Sequence, residues 1–315
     1  MGIKLLNSFL KSYCSEGITE KHMSHFYSKK IAIDISIYMY RYKSENQLIE
    51  KIYLMCCIMD YYKITPIFVF DGKPPEEKKD TIINRKVERN TAKDTLNTII
   101  NTLEKNNIDL DTYEKKYKKK IENLRRKSIK LSQNEFDKTK QLIEAFGMTY
   151  IVAESEAETL CAELLMKKQV DYCLSEDTDM FAYLSPYILR YISLSNHKVL
   201  LYDLKKILIN LNLTKKEFLN ICILSGNDYY NGNKNIYYYY KMMMKYKKQC
   251  LDNEISFIDW LKRKNIINTH LIHEFNNNIK MYYLNCDKKE IKITKNRKQM
   301  DVIYSILQEE HFIFP

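Results

Sequence analysis

Short apolar runs alternate with amphipathic helical patterns over much of the chain. Four of the runs are rich in β-branched and aromatic residues and end in turn-forming residues: 31–34, 66–71, 149–152 and 171–174. Apolar runs that alternate with helices are typical of a parallel sheet covered on both faces. The pattern therefore predicts an α/β fold with a parallel-sheet core flanked by helices.

The segment between the second and third runs differs from the rest. Residues 78–145 have a helical and highly charged pattern with weak apolar periodicity, which predicts a helical arch projecting from the sheet. With only 6 Gly and 5 Pro, the chain contains no flexible or polyproline linker. We expect one unit over 1–315, divided into an N-terminal part (1–77), the arch (78–145), a second sheet part (146–260) and a C-terminal helical and basic tail (261–315).

The charge of the chain points to a polyanionic partner. The formal net charge is +11, and residues 73–130 hold 17 Lys+Arg against 10 Asp+Glu, which is a surplus of 7. A positive field concentrated in one segment is typical of a nucleic-acid footprint. The run Lys115–Lys120 lies in this segment, where it could form a wall along a nucleic-acid strand. A solvated helix or a nuclear import signal remains the alternative.

The cysteines and the apolar runs indicate the cellular compartment in which the protein is expected. None of the 8 cysteines forms a C-x-x-C pair, and several lie in apolar helical runs, which is typical of buried free thiols in a reducing compartment. No apolar run approaches the length of a membrane span, and the N-terminus lacks a secretory signal pattern. We therefore expect an intracellular protein without a membrane partner.

Seven acidic residues stand near the ends of the predicted buried strands or close to comparable points. In a parallel sheet, ligands bind beyond the carboxyl ends of the strands, so topology brings such residues together. Buried carboxylates repel one another unless positive charge lies among them. Two divalent metal ions held by oxygen ligands satisfy this need and are the usual equipment for phosphodiester hydrolysis. The seven are Asp34, Asp71, Glu156, Glu158, Asp177, Asp179 and Asp228.

Each acid also has a structural explanation when taken singly. Ser155 and Glu158 have the spacing of a capping box. Asp177 and Asp179 suit turn positions, and Asp228 could cap the helix that follows. The metal hypothesis explains all seven together.

Six motifs, in this order along residues 1–240, resemble the signatures of the flap endonucleases, the XPG-like (RAD2-type) 5′-nuclease superfamily. The resemblance fits a compact member, such as one from a large DNA virus or an AT-rich eukaryote. It implies a PIN-like 5′-nuclease fold and hydrolysis assisted by two Mg²⁺ ions, for which Mn²⁺ can substitute. The motifs are Met1-Gly2-Ile3, Ala32-Ile33-Asp34-Ile35-Ser36, Phe70-Asp71-Gly72-Lys73-Pro74-Pro75, Glu154-Ser155-Glu156-Ala157-Glu158, Ser175-Glu176-Asp177-Thr178-Asp179 and Leu224-Ser225-Gly226-Asn227-Asp228-Tyr229.

The resemblance also implies roles for individual residues. Asp34, Asp71, Glu156 and Glu158 match the ligands of one metal, and Asp177, Asp179 and Asp228 match those of the second. Lys78 and Arg85 match the catalytic pair aimed at the scissile phosphate, and their spacing of seven places them on one helical face. Gly2 lies close to the active site in the family, and Tyr40 matches the aromatic that stacks on the base beside the cut. Arch contacts to the substrate are expected from Lys118, Lys119 and Lys120.

Two departures from the family pattern stand out. The family follows its last aspartate with a helix–turn–helix whose Gly-Ile-Gly turn cradles the duplex and often a potassium ion, whereas this chain has Asn235-Ile236-Tyr237. We expect a degenerate element that grips the duplex through Lys234, Lys241, Lys245, Lys247 and Lys248. No sliding-clamp motif is recognisable, because Ser305-Ile306 replaces its aromatic pair.

The sequence thus predicts a structure-specific 5′ nuclease, expected to be monomeric, that acts on flaps, nicks or ends of DNA in replication, repair or recombination. A 5′→3′ exonuclease or a junction resolvase of the same fold remains open, and a catalytically inactive nucleic-acid-binding scaffold is the alternative from another class. The expected location is the nucleus or, for a viral protein, the host cytoplasm or nucleus.

Overall fold

A seven-stranded sheet runs through the protein in the order β1-β7-β6-β5-β2-β3-β4. The computed structural model describes residues 2–105, 110–230, 232, 234–250, 255–284, 291, 293 and 296–312. The strands are β1 (Ile18–His22), β2 (Lys30–Asp34), β3 (Thr65–Phe70), β4 (Thr149–Val152), β5 (Tyr172–Leu174), β6 (Tyr187–Ser193) and β7 (Lys198–Asp203).

Thirteen helices are assigned among the described residues. They are α1 (Leu6–Tyr13), α2 (Ile35–Ser44), α3 (Leu48–Tyr61), α4 (Lys79–Lys105), α5 (Leu110–Ser128), α6 (Gln133–Ala145), α7 (Ala157–Met166), α8 (Leu204–Leu211), α9 (Lys215–Leu224), α10 (Ile236–Gln249), α11 (Phe257–Arg263), α12 (Thr269–Lys280) and α13 (Met300–Glu309). No helix in the described part of the chain is both long and apolar enough to cross a membrane.

The centre of the sheet is parallel, as the sequence predicts. Strands β6, β5, β2, β3 and β4 all run in one direction. Strand β7 is antiparallel to both β6 and β1, so the sheet as a whole is mixed. The antiparallel edge was not predicted, because β1 (ITEKH) carries few apolar residues and lies half-exposed at the margin of the sheet.

Alternating residues of the central strands pack into two separate layers of core. On β2, Ile31 and Ile33 join one layer and Ala32 the other. On β3, Phe68 and Phe70 face the layer built from α2, α3, α6 and α13, while Val69 faces the layer of α1 and α7 to α12. Both faces of the sheet are therefore covered, which explains the continuous apolar runs.

The charged insertion between β3 and β4 is helical, as its pattern indicates. Helices α4 and α5 contact each other extensively, and α5 also contacts α2. Helix α6 packs on α3, β4 and α13, so it belongs to the body of the protein. The helical pair that can form an arch consequently comprises α4 and α5, with residues 106–109 between them outside the described structure.

Candidate active site

The carboxyl ends of the parallel strands bring five acidic side chains to one cavity. Asp34 ends β2, Asp71 follows β3, and Asp177 lies three residues after β5. Glu156 and Glu158 belong to the start of α7, just beyond β4. These five line a cavity of about 310 Å³, together with Lys78, Arg85 and Tyr40. The convergence expected from sheet topology is present.

The remaining two acids adjoin this cavity. Asp179 is fully buried, and its backbone N–H donates to Asp177 Oδ1 at 2.9 Å. Asp228 lies four residues beyond α9, and its carboxylate contacts both Lys78 and Arg85. All seven acids named from the sequence therefore belong to one cluster.

Of the capping and turn roles considered for single acids, the structure contains only some. Helix α7 has Glu156 at its N-cap position without a side-chain capping bond, so Ser155 and Glu158 form no capping box. The N–H of Ala157 is instead bound by Asp71 Oδ1 at 2.9 Å. Asp177 does close a local turn, whereas Asp228 caps no helix, because α10 begins only at Ile236.

Gly2 lies against two acids of the cluster, Asp177 and Asp228. Its N–H donates to Asp228 Oδ1 at 3.2 Å. A Cβ atom at Gly2 would lie 2.3 Å from Asp177 Oδ1, and its φ of +77° is one that favours glycine. The N-terminal Gly is therefore fixed by contact with two of the acids.

The ammonium group of Lys78 occupies the centre of the acidic cluster. It hydrogen-bonds Glu156, lies 3.3 Å from Asp228 and lies 3.8 Å from Glu158. Only 8% of the Lys78 side chain is exposed, compared with 40% for Arg85, which pairs with Asp228 from the solvent side. Lys78 lies in the 3₁₀ turn Glu76–Lys78, just before α4, so the two residues do not share one α-helix, but they have a common carboxylate partner in Asp228.

Burial perturbs the pKa values of the cluster strongly. Desolvation, reinforced by Asp71, raises the pKa of Asp34 to about 8. Desolvation and the neighbouring Asp177 also raise the pKa values of Glu158 and Asp179 well above their usual range. Burial opposes ionisation of Asp228, but Lys78 and Arg85 outweigh it and lower the pKa of that carboxyl.

The donor set fits divalent cations. Among the described residues that line the cavity, five carboxylates face two positive side chains, Lys78 and Arg85, and Mg²⁺ prefers carboxylate oxygen ligands. Both carboxylate oxygens of Asp179 and one of Glu158 are buried without a hydrogen-bond partner among the described residues. In the described ranges, no three His, Cys, Asp or Glu side chains are arranged so that they could hold one metal ion as they stand. The Lys78 ammonium lies between Glu156 and Asp228, within this donor set.

Tyr40 stands at the mouth of the same cavity. Tyr40 is 44% exposed and lines the cavity together with Ile37 and Pro74. An exposed aromatic ring beside an acidic cavity can stack on a nucleobase.

Several residues of the site had no functional role in the sequence prediction. Ser175 donates to Asp34 Oδ2 at 2.9 Å, and Tyr229 donates to Glu156. Tyr282 lies against Tyr183 and Tyr229, close enough to Asp179 to influence its pKa. Ser175 and Tyr229 adjoin predicted acids, so proximity could have indicated them, but nothing near Tyr282 in the sequence marks it.

Glu176 interrupts the acidic motif without joining the cluster. Its Oε1 accepts hydrogen bonds from the Tyr38 hydroxyl at 3.1 Å and from the Tyr191 N–H at 2.7 Å. It therefore ties α2 to β6 rather than facing the cavity.

None of the predicted DNA-contacting lysines whose side chains are described lines the acidic cavity. Lys119 and Lys120 are exposed on α5, while the side chain of Lys118 lies outside the described structure. Lys241, Lys245 and Lys248 are exposed on α10, whereas Lys247 pairs with Glu217. Lys234 lies over the Tyr238 ring at 5.7 Å.

The turn before α10 differs from a glycine turn. Asn235 caps the helix with its side chain, and its φ of −90° is not left-handed. Tyr237 is helical and packs edge-on against Phe9, with ring centroids 5.2 Å apart.

Two family descriptions match the chain. Residues 1–92 match the XPG N-terminal domain, and residues 147–228 match the XPG I-region. Flap endonuclease 1 of Enterocytozoon bieneusi is 30% identical over 282 residues, covering 82% of this chain and 74% of that protein. Flap endonuclease 1 of Saccharomyces cerevisiae (strain S288c) is 29% identical and is covered over 61% of its length, so the chain spans roughly three fifths to three quarters of such relatives.

Solved structures share the fold at lower identity. The catalytic core of Rad2 in complex with a DNA substrate superposes with a TM-score of 0.66 at 21% identity, covering 96% of this chain and 94% of that one. Flap endonuclease-1 from Methanococcus jannaschii gives a TM-score of 0.61 at 19% identity, covering 98% and 93%. The fold, the family descriptions and the identity to flap endonuclease 1 agree, and this chain belongs to the flap endonuclease family of XPG-type structure-specific 5′ nucleases.

Proposed function

We propose that the protein hydrolyses phosphodiester bonds in flaps, nicks or ends of DNA, using two Mg²⁺ ions, for which Mn²⁺ can substitute. The observation that carries the proposal is the cluster of seven carboxylates, five of which line a 310 Å³ cavity together with Lys78 and Arg85. A protein that only bound nucleic acid would gain nothing from carboxylates that repel phosphate.

The metal ligands are proposed in two groups. Asp34, Asp71, Glu156 and Glu158 hold one ion, and Asp177, Asp179 and Asp228 hold the other. When bound, such ions activate the attacking water and neutralise charge on the reacting phosphate and leaving oxygen. Both carboxylate oxygens of Asp179 and Oε1 of Glu158 accept no hydrogen bond within the described structure, so they can serve as ligand atoms without losing one.

Lys78 and Arg85 are proposed to stabilise the negative charge that develops on the scissile phosphate. Both cations already face the cavity, and both pair with Asp228. A phosphate entering the cavity would offer the same cations a second anionic partner. Removal of such a preorganised electrostatic donor typically lowers the rate by about 10²–10³-fold.

DNA enters from the exposed side of this cavity. Opening a duplex end costs a few kcal/mol, and stacking on Tyr40 can offset about 1–3 kcal/mol of it. The lysines of α5 and α10 are proposed to contact phosphates on either side of the cut. Rad2 has been solved in complex with a DNA substrate and human GEN1 with Holliday junction DNA, in the same fold.

The cellular setting is proposed on separate grounds. All seven described cysteines are free, which favours a reducing, intracellular compartment such as the nucleus or a virus-infected host cell. We further propose that the protein acts as a monomer in replication, repair or recombination.

A cleavage panel tests the proposal. Wild-type protein in Mg²⁺ is given 5′-labelled flap, nicked, blunt and four-way DNA, with RNA-containing flaps as a further arm. Cleavage near the base of the flap supports a flap endonuclease; release of mononucleotides from nicks or ends indicates an exonuclease; and symmetric cuts in four-way DNA indicate a resolvase. Binding without cleavage of any substrate would establish an inactive scaffold instead.

A further inference from the structure

A second cavity, of about 610 Å³, lies between α8, the first residues of α9 and the segment that precedes β6. Among its lining residues in the described structure, only Lys247 of α10 was predicted to contact DNA, and its ammonium pairs with Glu217. Its wall consists of six apolar residues, three lysines and two uncharged polar residues: Leu184, Pro186, Leu204, Leu208, Ile209, Leu213, Lys205, Lys215, Lys247, Asn212 and Thr214.

This apolar cavity lies at the opposite end of the sheet from the acids. Pro186 precedes β6 and Leu204 follows the antiparallel β7, and a hydrogen bond of 3.0 Å joins Leu204 N–H to the Pro186 carbonyl. Strand β6 is parallel to β5, so these residues lie where the parallel strands begin. Helix α9 starts at the cavity and ends four residues before Asp228, and its ten residues span about 15 Å.

The polar part of the wall is positive. Lys205 and Lys215 are exposed and have no ion-pair partner among the described residues. Lys247 donates to the Asn212 carbonyl at 2.7 Å and contacts Glu217 at 3.1 Å, so its charge is partly compensated. No Asp or Glu of the described structure lines the cavity. An occupant therefore needs apolar groups to fill the cavity and negative charge at its margin.

Apolar surface continues beyond the cavity. Ile209 lines the wall but is 68% exposed, although neighbouring Leu208 is partly buried and Ile207 is fully buried on the same helix. A compact ligand held inside the cavity would leave much of Ile209 in water. A chain segment lying across α8 would cover Ile209 and place an apolar side chain in the cavity.

We propose that this cavity docks an acidic, amphipathic peptide segment of a partner protein. Apolar side chains of the segment insert among Leu204, Leu208 and Leu213, and its Asp or Glu side chains pair with Lys205 and Lys215. DNA is a poor occupant, because its phosphates would lose water against an apolar wall without burying matching apolar surface. The separation from the acidic cluster leaves the proposed cleavage site open when the partner is bound.

A peptide display library tests both the place and the chemistry. A random twelve-residue library is selected on the wild-type protein and counter-selected on Ile209→Asp, which alters an exposed residue and should leave the fold intact. We expect the enriched peptides to combine Leu, Ile or Phe at helical spacing with Asp and Glu. Enrichment of basic peptides, or failure to enrich any peptide that depends on Ile209, would overturn the proposal.

The best enriched peptide is then labelled and its Kd measured by fluorescence anisotropy. We expect Ile209→Asp and Lys215→Glu each to weaken binding at least tenfold. The matched controls are Lys216→Glu, the adjacent exposed lysine that does not line the cavity, and Tyr27→Asp, an equally exposed apolar residue elsewhere. Equal affinity of all four variants, or full competition by duplex DNA or oleate, would contradict a peptide site here.

Discussion

The ammonium nitrogen of Lys78 lies 3.3 Å from a carboxylate oxygen of Asp228, although the two residues are 150 positions apart in sequence. The same ammonium contacts Glu156 and Glu158, so one buried cation partly neutralises three acids. Burial alone would lower the pKa of Lys78, but these carboxylates outweigh it and raise the pKa above its usual value. Lys78 is therefore charged in the folded protein at all physiological pH values, and it occupies space among the proposed metal ligands.

Replacement of Lys78 should affect the cleavage rate and the DNA affinity differently. We expect Lys78→Ala to lower the single-turnover cleavage rate by about 10²–10³-fold while DNA affinity changes little, because the lost interaction forms mainly in the transition state. Arg85→Ala should act in the same direction. Rapid-quench cleavage and equilibrium binding in Ca²⁺ measure the two quantities, with the exposed neighbour Lys79→Ala as control.

Mg²⁺ should raise the Tm of the same Lys78→Ala variant more than it raises the Tm of the wild type. Without the ammonium, Glu156, Glu158 and Asp228 lose their cation, and breaking such a buried pair typically costs about 3–5 kcal/mol. We expect a lower Tm than wild type in EDTA and a larger rise in Tm on adding Mg²⁺. A smaller Mg²⁺-induced rise than in wild type would show that Lys78 helps to bind metal rather than to take its place.

Neutralising Asp177 should abolish activity and raise the stability of the fold. Asp177→Asn should abolish cleavage, yet its amide oxygen can still accept the Asp179 N–H and preserve the turn. Because desolvation and neighbouring carboxylates disfavour the buried charge, we expect the free energy of unfolding in EDTA to rise by about 1–3 kcal/mol.

Glu176→Gln provides the matched control for Asp177→Asn. It also removes a carboxylate from the same motif, but this one binds Tyr38 and the Tyr191 N–H outside the cavity. Cleavage by Glu176→Gln should stay near the wild-type rate. Wild-type turnover by Asp177→Asn in Mg²⁺ would refute the assignment of that residue as a metal ligand.

The strands that carry the acids could be predicted from the sequence, because they lie in the middle of the sheet. β2 and β3 are buried on both faces, so their apolar runs are continuous and end abruptly at Asp34 and Asp71. The antiparallel edge was missed because one face of β1 lies in solvent and its sequence, ITEKH, lacks that signal.

Contacts between distant segments could not be predicted in this way. The position of Lys78 inside the cluster depends on long-range contacts with Glu156 and Asp228, which no local pattern encodes. Tyr282 reaches the site from beyond α12, and its sequence surroundings resemble those of the many other tyrosines. The apolar cavity at α8 and α9 likewise depends on which leucines the tertiary packing leaves uncovered.

The basic run on α5 should contribute to affinity rather than to chemistry. Neutralising Lys118, Lys119 and Lys120 together should weaken binding of a 5′ flap and reduce the slope of log K against log salt by up to about 2.7, if each lysine contacts one phosphate. The single-turnover rate at saturating protein should change little. Lys262, Lys264 and Arg263, exposed at the end of α11, provide a control triple of equal charge. An unchanged salt slope would identify the run as a solvated helix or an import signal.

Potassium should not support duplex binding at the turn before α10. The Asn235 carbonyl accepts hydrogen bonds from the N–H groups of Tyr238 and Tyr239, at 3.1 and 3.3 Å, so it already serves the first turn of the helix. None of residues 235–237 has a positive φ, and Tyr237 packs against Phe9. We expect replacement of K⁺ by tetramethylammonium at equal ionic strength to leave the affinity for a downstream duplex nearly unchanged.

Exposed lysines of α10 offer a way to bind the duplex that does not depend on K⁺. Lys241 and Lys245 lie one helical turn apart on the exposed side of α10, where their side chains can reach phosphates without a tight backbone turn. Lys241→Ala with Lys245→Ala should therefore weaken duplex binding several-fold in either cation. A relative that keeps both glycines of the Gly-Ile-Gly turn serves as positive control and should lose affinity when K⁺ is removed. A K⁺-specific loss of affinity in this protein would mean that the carbonyls at residues 235–237 leave the helix to bind the ion, contrary to the hydrogen bonds that hold them there.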